Sequence, residues 1–98
     1  MPKEPRTTAE FGENLAIQAL GFLAGDPERL GRFLSLAGIG PEMIRAAASD
    51  PAFLAGVLDH VASDEPLLLA VADHIGVKPE AVMRARAALS GYYERDVP

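Results

Sequence analysis

The chain contains no cysteine in its 98 residues. That absence removes disulfides, thiolate nucleophiles, zinc knuckles and iron–sulfur clusters together, and leaves packing as the source of stability. Long apolar runs are missing as well: the longest, residues 66–72, falls far short of the roughly 20 residues that span a bilayer. The opening Met1-Pro2-Lys3-Glu4-Pro5-Arg6-Thr7-Thr8 has no apolar stretch behind its charges. It therefore reads as neither a secretory signal nor an anchor, and a cytoplasmic location is expected. Positive charge is scarce, with nine basic residues against 14 acidic ones and a net charge of -5, which opposes non-specific attraction to nucleic acid or anionic lipid. No segment shows strand-like alternation with β-branched enrichment.

What is present is apolar content in helical register. Hydrophobic residues make up 49% of the chain and charged ones 23%, the balance of a globular domain rather than of a disordered one. The length suits one core and is too short for two. Thr8 reads as an N-cap with Glu10 and Glu13 near the positive end of the dipole, and Phe11, Leu15, Ala19, Phe22 and Leu23 share a face of a first helix over residues 10–24. Gly25 stops it. Asp26-Pro27-Glu28 opens a second helix with Leu30, Phe33, Leu34 and Ala37 inside and Arg29 and Arg32 outside, and Gly38 closes it.

Gly40-Pro41-Glu42 opens a short third helix through Met43, Ile44 and Ala47, and Asp50-Pro51 opens a fourth. There Phe53, Leu54, Val57, Leu58 and Val61 form the buried stripe and Asp59 faces out. Asp64-Glu65-Pro66 starts a fifth helix whose Leu67-Leu68-Leu69-Ala70-Val71-Ala72 is apolar all round, which places it at the centre of the bundle. Gly76 ends it, and Pro79-Glu80 begins a sixth carrying Ala81, Val82, Ala85, Ala88 and Leu89, with Ser90-Gly91 as its stop. The expectation is an all-α fold, a compact bundle of five to six short helices over residues 9–93, between flexible tails at 1–8 and 94–98. A shift of 38 residues sets Asp26 on Asp64, Leu30 on Leu68, Gly38 on Gly76, Pro41 on Pro79 and Glu42 on Glu80. This quasi-repeat has two readings: a duplicated hairpin, or two unrelated hairpins that share a small repertoire of caps.

Chemistry-bearing residues are few. Gly38-Ile39-Gly40-Pro41 resembles the turn of the helix-hairpin-helix motif of DNA-binding proteins, where backbone N–H groups meet a phosphate. The match departs from that motif at Ala37, where a proline is usual, at Ile44, where a small residue is usual, and at Glu42 and Met43, where basic or hydroxyl side chains are usual. Asp59-His60 and Asp73-His74 suggest an acid–base pair or a metal site. Neighbours on a helix point apart, however, and a hairpin of the fourth and fifth helices would separate the two histidines by more than about 10 Å. His60 with Asp64 supplies two metal ligands where a catalytic zinc takes three. Ser35, Ser49, Ser63 and Ser90 stand in no nucleophile setting, and phosphate-loop, dinucleotide and EF-hand patterns are absent. No catalytic residue, metal ligand or cofactor is assigned.

The run A-I-Q-A-L-G-F-L-A-G-D-P-E-R-L-G-R-F-L-S-L from Ala16, with D-P-A-F-L-A-G-V-L-D-H and D-E-P-L-L-L after it, resembles a small bacterial family known as domain of unknown function 3572. The likeness spans residues 13–89 and implies a compact, stand-alone helical protein, with no activity, cofactor or catalytic residue attached. The functional expectation is a non-catalytic module that binds a protein partner or itself. Its candidate surface is Arg29, Arg32, Met43, Met83, Arg84, Tyr92 and Tyr93, since arginine, methionine and tyrosine suit interfaces. Nucleic-acid binding through Gly38, Ile39, Gly40 and Pro41 is the alternative, and an enzyme of unknown type the second.

Overall fold

Three aspartates open helices where their spacing to proline says they should. A computed structural model of the chain describes residues 8–95, with side chains for residues 10–90. Asp26 holds an extended backbone, φ -130° and ψ 100°, and its Oδ1 accepts from the backbone N–H groups of Glu28 and Arg29 at 3.1 and 3.4 Å. Asp50 accepts from the Ala52 N–H at 3.0 Å, and Asp64 from the Leu67 N–H at 3.3 Å. In each case proline occupies one of the first two helical positions, where its missing N–H leaves no bond unmade. Each cap is worth about 1 kcal/mol. At the other ends, Gly38 and Gly76 take the left-handed conformation with φ of 75° and 88°, which side chains disfavour. The N–H groups of Gly38 and Ile39 both donate to the Leu34 carbonyl, as those of Gly76 and Val77 do to Ala72.

The order is α1 (Thr8–Ala24), α2 (Pro27–Ala37), a 3-10 turn (Pro41–Met43), α3 (Ile44–Ala47), α4 (Pro51–Ala62), α5 (Glu65–Ile75) and α6 (Pro79–Arg95), with no strand among the described residues. The fold is all-α. Helices α1, α4 and α6 pack on one another and form the centre, α5 lies against all three, and α2 rests on α1 and more thinly on α4. The centre is filled by Leu23, Leu58, Leu89, Val57, Val61 and Val82, none more than 1% exposed. Helix α1 and α6 approach so closely at Gly12 that a Cβ there would stand 2.9 Å from both the Ala85 carbonyl oxygen and Leu89 Cγ. The Cα radius of gyration is 12.9 Å, close to the roughly 13 Å of a 100-residue domain with a single core.

Several boundaries differ from the expectation. The third helix is one 3-10 turn followed by four α-helical residues, and none of its side chains is fully buried. Asp50-Pro51 cuts it off before an amphipathic face can develop. Helix α6 does not stop at Ser90-Gly91 but runs on to Arg95, because an interior glycine costs a helix only about 1 kcal/mol without supplying a left-handed cap. Helix α5 is not central. It buries Leu67, Val71 and Ala72 on one side and leaves Leu69 49% exposed, since too few helices exist to cover it all round. Helix α1 begins at Thr8 itself, the expected cap. Apart from Thr8 and the helical positions 94 and 95, the tails expected at 1–8 and 94–98 lie outside the described residues. Among the described residues no helix is long and apolar enough to cross a membrane.

Candidate functional site

Helix α2 meets the bundle along a narrow line, and what surrounds that line is open. Phe33 and Leu34 are the two side chains that α2 buries. The Phe33 ring meets Phe53 of α4 edge-on, with centroids 5.6 Å apart and planes at 62°, and meets the His60 imidazole at 5.1 Å. Edge-on pairs of this kind are favourable beyond the area they bury. Between α2 and α4 a groove of about 560 Å³ remains, floored by Phe33 and Phe53. Leu36, on its α2 side, is 73% exposed. On the α4 side Gly56 presents bare backbone, and a Cβ there would meet nothing within 4 Å. The polar margin holds Asp50, Asp59, His60 and Ser63, and no lysine or arginine lines the groove.

His60 also walls a second, more polar cleft of about 340 Å³, bordered by Arg29, Arg32 and Asp64. Asp26, Arg29 and Asp64, three of its polar residues, already have structural partners. The Arg29 Nε donates to Asp26 Oδ2 at 3.1 Å, and its guanidinium stands 5.9 Å from the centre of the Phe22 ring. Asp26 and Asp64 cap helices; on the groove side, the Ser63 hydroxyl donates to the His60 carbonyl at 2.8 Å. Partial burial holds the His60 pKa below the ordinary histidine value, with the Arg32 charge acting in the same direction and the Asp64 carboxylate opposing both. The imidazole is therefore neutral near pH 7 and serves as a flat, largely apolar wall between the two hollows.

The residues singled out by sequence are spread over several faces. Arg29 and Arg32 border the polar cleft, with Arg29 paired to Asp26. Met43 lies in the 3-10 turn and is 50% exposed. Met83 and Arg84 lie on α6, where Arg84 borders a shallow hollow with Phe11, Ala87 and Ala88. The side chains of Tyr92 and Tyr93 lie outside the described residues. Asp59 turns to Arg86 on α6 at 2.6 Å, while its neighbour His60 turns to Phe33. His74 packs on Phe22 at 5.0 Å, so the two histidines rest on different rings. No three His, Asp or Glu side chains among the described residues gather as metal ligands would.

At the Gly38, Ile39, Gly40 and Pro41 turn, the N–H groups of residues 38 and 39 are spent on the Leu34 carbonyl. A Cβ on Gly40 would stand 2.6 and 2.7 Å from the two carboxylate oxygens of Glu42, so a negative group folds over the turn. A phosphate approaching there would be repelled.

Sequence reasoning missed Leu36, Gly56 and the open side of Phe33 and Phe53. For Leu36 a signal existed: it is a large apolar residue off the Leu30, Phe33, Leu34 and Ala37 stripe. Gly56 gave none, because an interior helix glycine marks a close approach or an open space with equal ease. The family model described as "Protein of unknown function (DUF3572)" matches residues 9–92. No curated protein and no solved structure matches the chain.

Proposed function

We propose that this chain, which belongs to the DUF3572 family of proteins of unknown function, is a non-catalytic module of the cytoplasm that receives a protein partner in the groove between α2 and α4. The observation that carries this reading is the groove's composition: two aromatic rings for a floor, bare backbone at Gly56 on one wall, and a leucine 73% exposed on the other. A large apolar side chain held open to water beside an aromatic-lined hollow is the kind of surface that binding covers. A non-catalytic role is supported by the state of the polar groups, since Asp26 and Asp64 of the neighbouring cleft are tied into helix caps and Ser63 of the groove into a turn. Nucleic acid is disfavoured by the net charge and by the Glu42 carboxylate over the glycine turn.

The test compares capture from a native extract by the wild-type chain, by Leu36→Asp and by Leu69→Asp, with the mass of each in solution. Leu69, 49% exposed on α5, is the control for a new charge on an apolar surface elsewhere. A protein, or a second copy of the chain, held by wild type and Leu69→Asp and lost by Leu36→Asp is the expected result. A monomeric chain that retains the same proteins in all three forms would overturn the reading.

A further inference from the structure

The groove's own chemistry restricts what can lie in it, and we infer that the occupant is an amphipathic helix whose apolar stripe is flanked by lysine or arginine. This rests on the reading of the groove as the binding site. First, both walls are helices whose backbone groups are already paired within themselves, and the described residues offer no strand edge. An extended peptide pressed into such a groove would bury N–H and C=O groups without partners, whereas a helix satisfies its own. Second, Gly56 lets another backbone come close to α4, where any larger residue would hold it away. A rod of constant width lying along α4, with leucine- or phenylalanine-sized anchors directed at Phe33 and Phe53, uses that approach.

Third, the charged residues that line the groove are carboxylates. Asp50 and Asp59 line the groove with no cation among the lining residues, and the chain as a whole carries -5. Asp59 already pairs with Arg86 of α6 at 2.6 Å while 54% of its side chain stays exposed, so Asp50 and the remaining oxygen of Asp59 are what the margin offers a cation. Cationic residues beside the apolar stripe of the incoming helix would find Asp50 and the open side of Asp59. Acidic ones would meet like charge, and rim charges act mainly on partner choice and association rate.

Three synthetic helical peptides test this with the full chain. They share one leucine stripe at i, i+3, i+4 and i+7 spacing and carry flanking lysine, glutamine or glutamate. Affinity is read by calorimetry at low and high salt, and position by backbone amide shifts. The lysine peptide is expected to bind about tenfold more tightly than the glutamine peptide, with the advantage shrinking in salt, and the glutamate peptide to bind weakest. Shifts should centre on residues 33, 36, 53 and 56. Gly56→Leu, whose Cβ has no atom within 4 Å and whose longer side chain would occupy the groove, should weaken the lysine peptide by about tenfold or more, its folding being checked by circular dichroism. Asp50→Asn, which keeps the helix cap, should reduce the difference between lysine and glutamine peptides.

Equal affinity for the three peptides, shifts away from the groove, or indifference to Gly56→Leu overturns the inference. Loss of the inference with Leu36-dependent capture intact leaves the interaction module standing with a different occupant. Loss of Leu36-dependent capture removes both.

Discussion

Helix α4 has two faces, and they are finished differently. On one, Leu54, Val57, Leu58 and Val61 recur at intervals of three and four and are at most 2% exposed against α1 and α6. On the other, Phe53 and His60 meet Phe33 of the thinly packed α2, and with Gly56 they line the groove. Two glycines sharpen the contrast. Gly12 stands where α1 presses on α6 and even a Cβ would collide, while Gly56 stands where a Cβ would meet nothing within 4 Å. The same residue type closes one region and leaves the other open, so the difference lies in what surrounds it. Burial on the first face supplies the stability that allows the second to stay incomplete.

The largest break in this comparison should come from truncation inside the closed face. Leu58→Ala is expected to destabilise the fold by about 2–5 kcal/mol, whereas Leu36→Ala should stay within about 0.5 kcal/mol. Urea unfolding of the two variants checks this, and similar losses would mean that the groove is part of the core. Next in size, Gly12→Val forces atoms against the Ala85 carbonyl and Leu89, at a cost of about 1–3 kcal/mol. Retained stability there would show that α1 and α6 can separate without penalty.

A smaller effect of opposite sign belongs to the open face. Gly56→Ala has room for its methyl and should raise stability by about 0.5–1 kcal/mol through helix propensity alone. A lowered melting temperature would place a hidden contact at that site. Smallest is the contribution of His60. Its pKa is depressed in the folded chain, so the unfolded chain binds the proton more readily, and the His60 contribution to stability declines as pH falls from about 6.5 through the lower folded value. His60→Gln should flatten that part of the pH–stability curve. Asp64→Asn, which preserves the cap, should lower the His60 pKa further in an NMR titration; a rise would contradict the electrostatics assigned to Asp64.

Punctuation made much of the fold legible beforehand. Asp26, Asp50 and Asp64 with their prolines, and Gly38 and Gly76, are local devices whose chemistry works within four residues, and all five act as their sequence context suggests. The 38-residue quasi-repeat shows where local reading stops. Both halves share an aspartate cap, an 11-residue helix and a left-handed glycine, yet one continues into a 3-10 turn and four residues of helix, the other into the 17-residue α6. The second arm of each depends on non-local packing. Ala81, Val82, Ala85 and Leu89 have α1 and α4 to lie against, while the region after Gly40 is cut short by the next Asp-Pro pair.

The candidate site was less legible. Phe33 and Phe53 read as core residues, and they are packed, but one side of each faces the groove. Arg29, Arg32, Met83 and Arg84 were grouped by residue type, and the fold sets the first two on α2 beside the polar cleft and the last two on α6, where Arg84 borders another hollow.

By itself the sequence determined where helices start and stop and which stripe of each is apolar, because capping and periodicity depend on neighbours a turn away. Tertiary structure alone decided that α4 rather than α5 would stand at the centre. It also decided that α2 would cover α4 incompletely, because the gap between two helices depends on how every other helix in the bundle fills space.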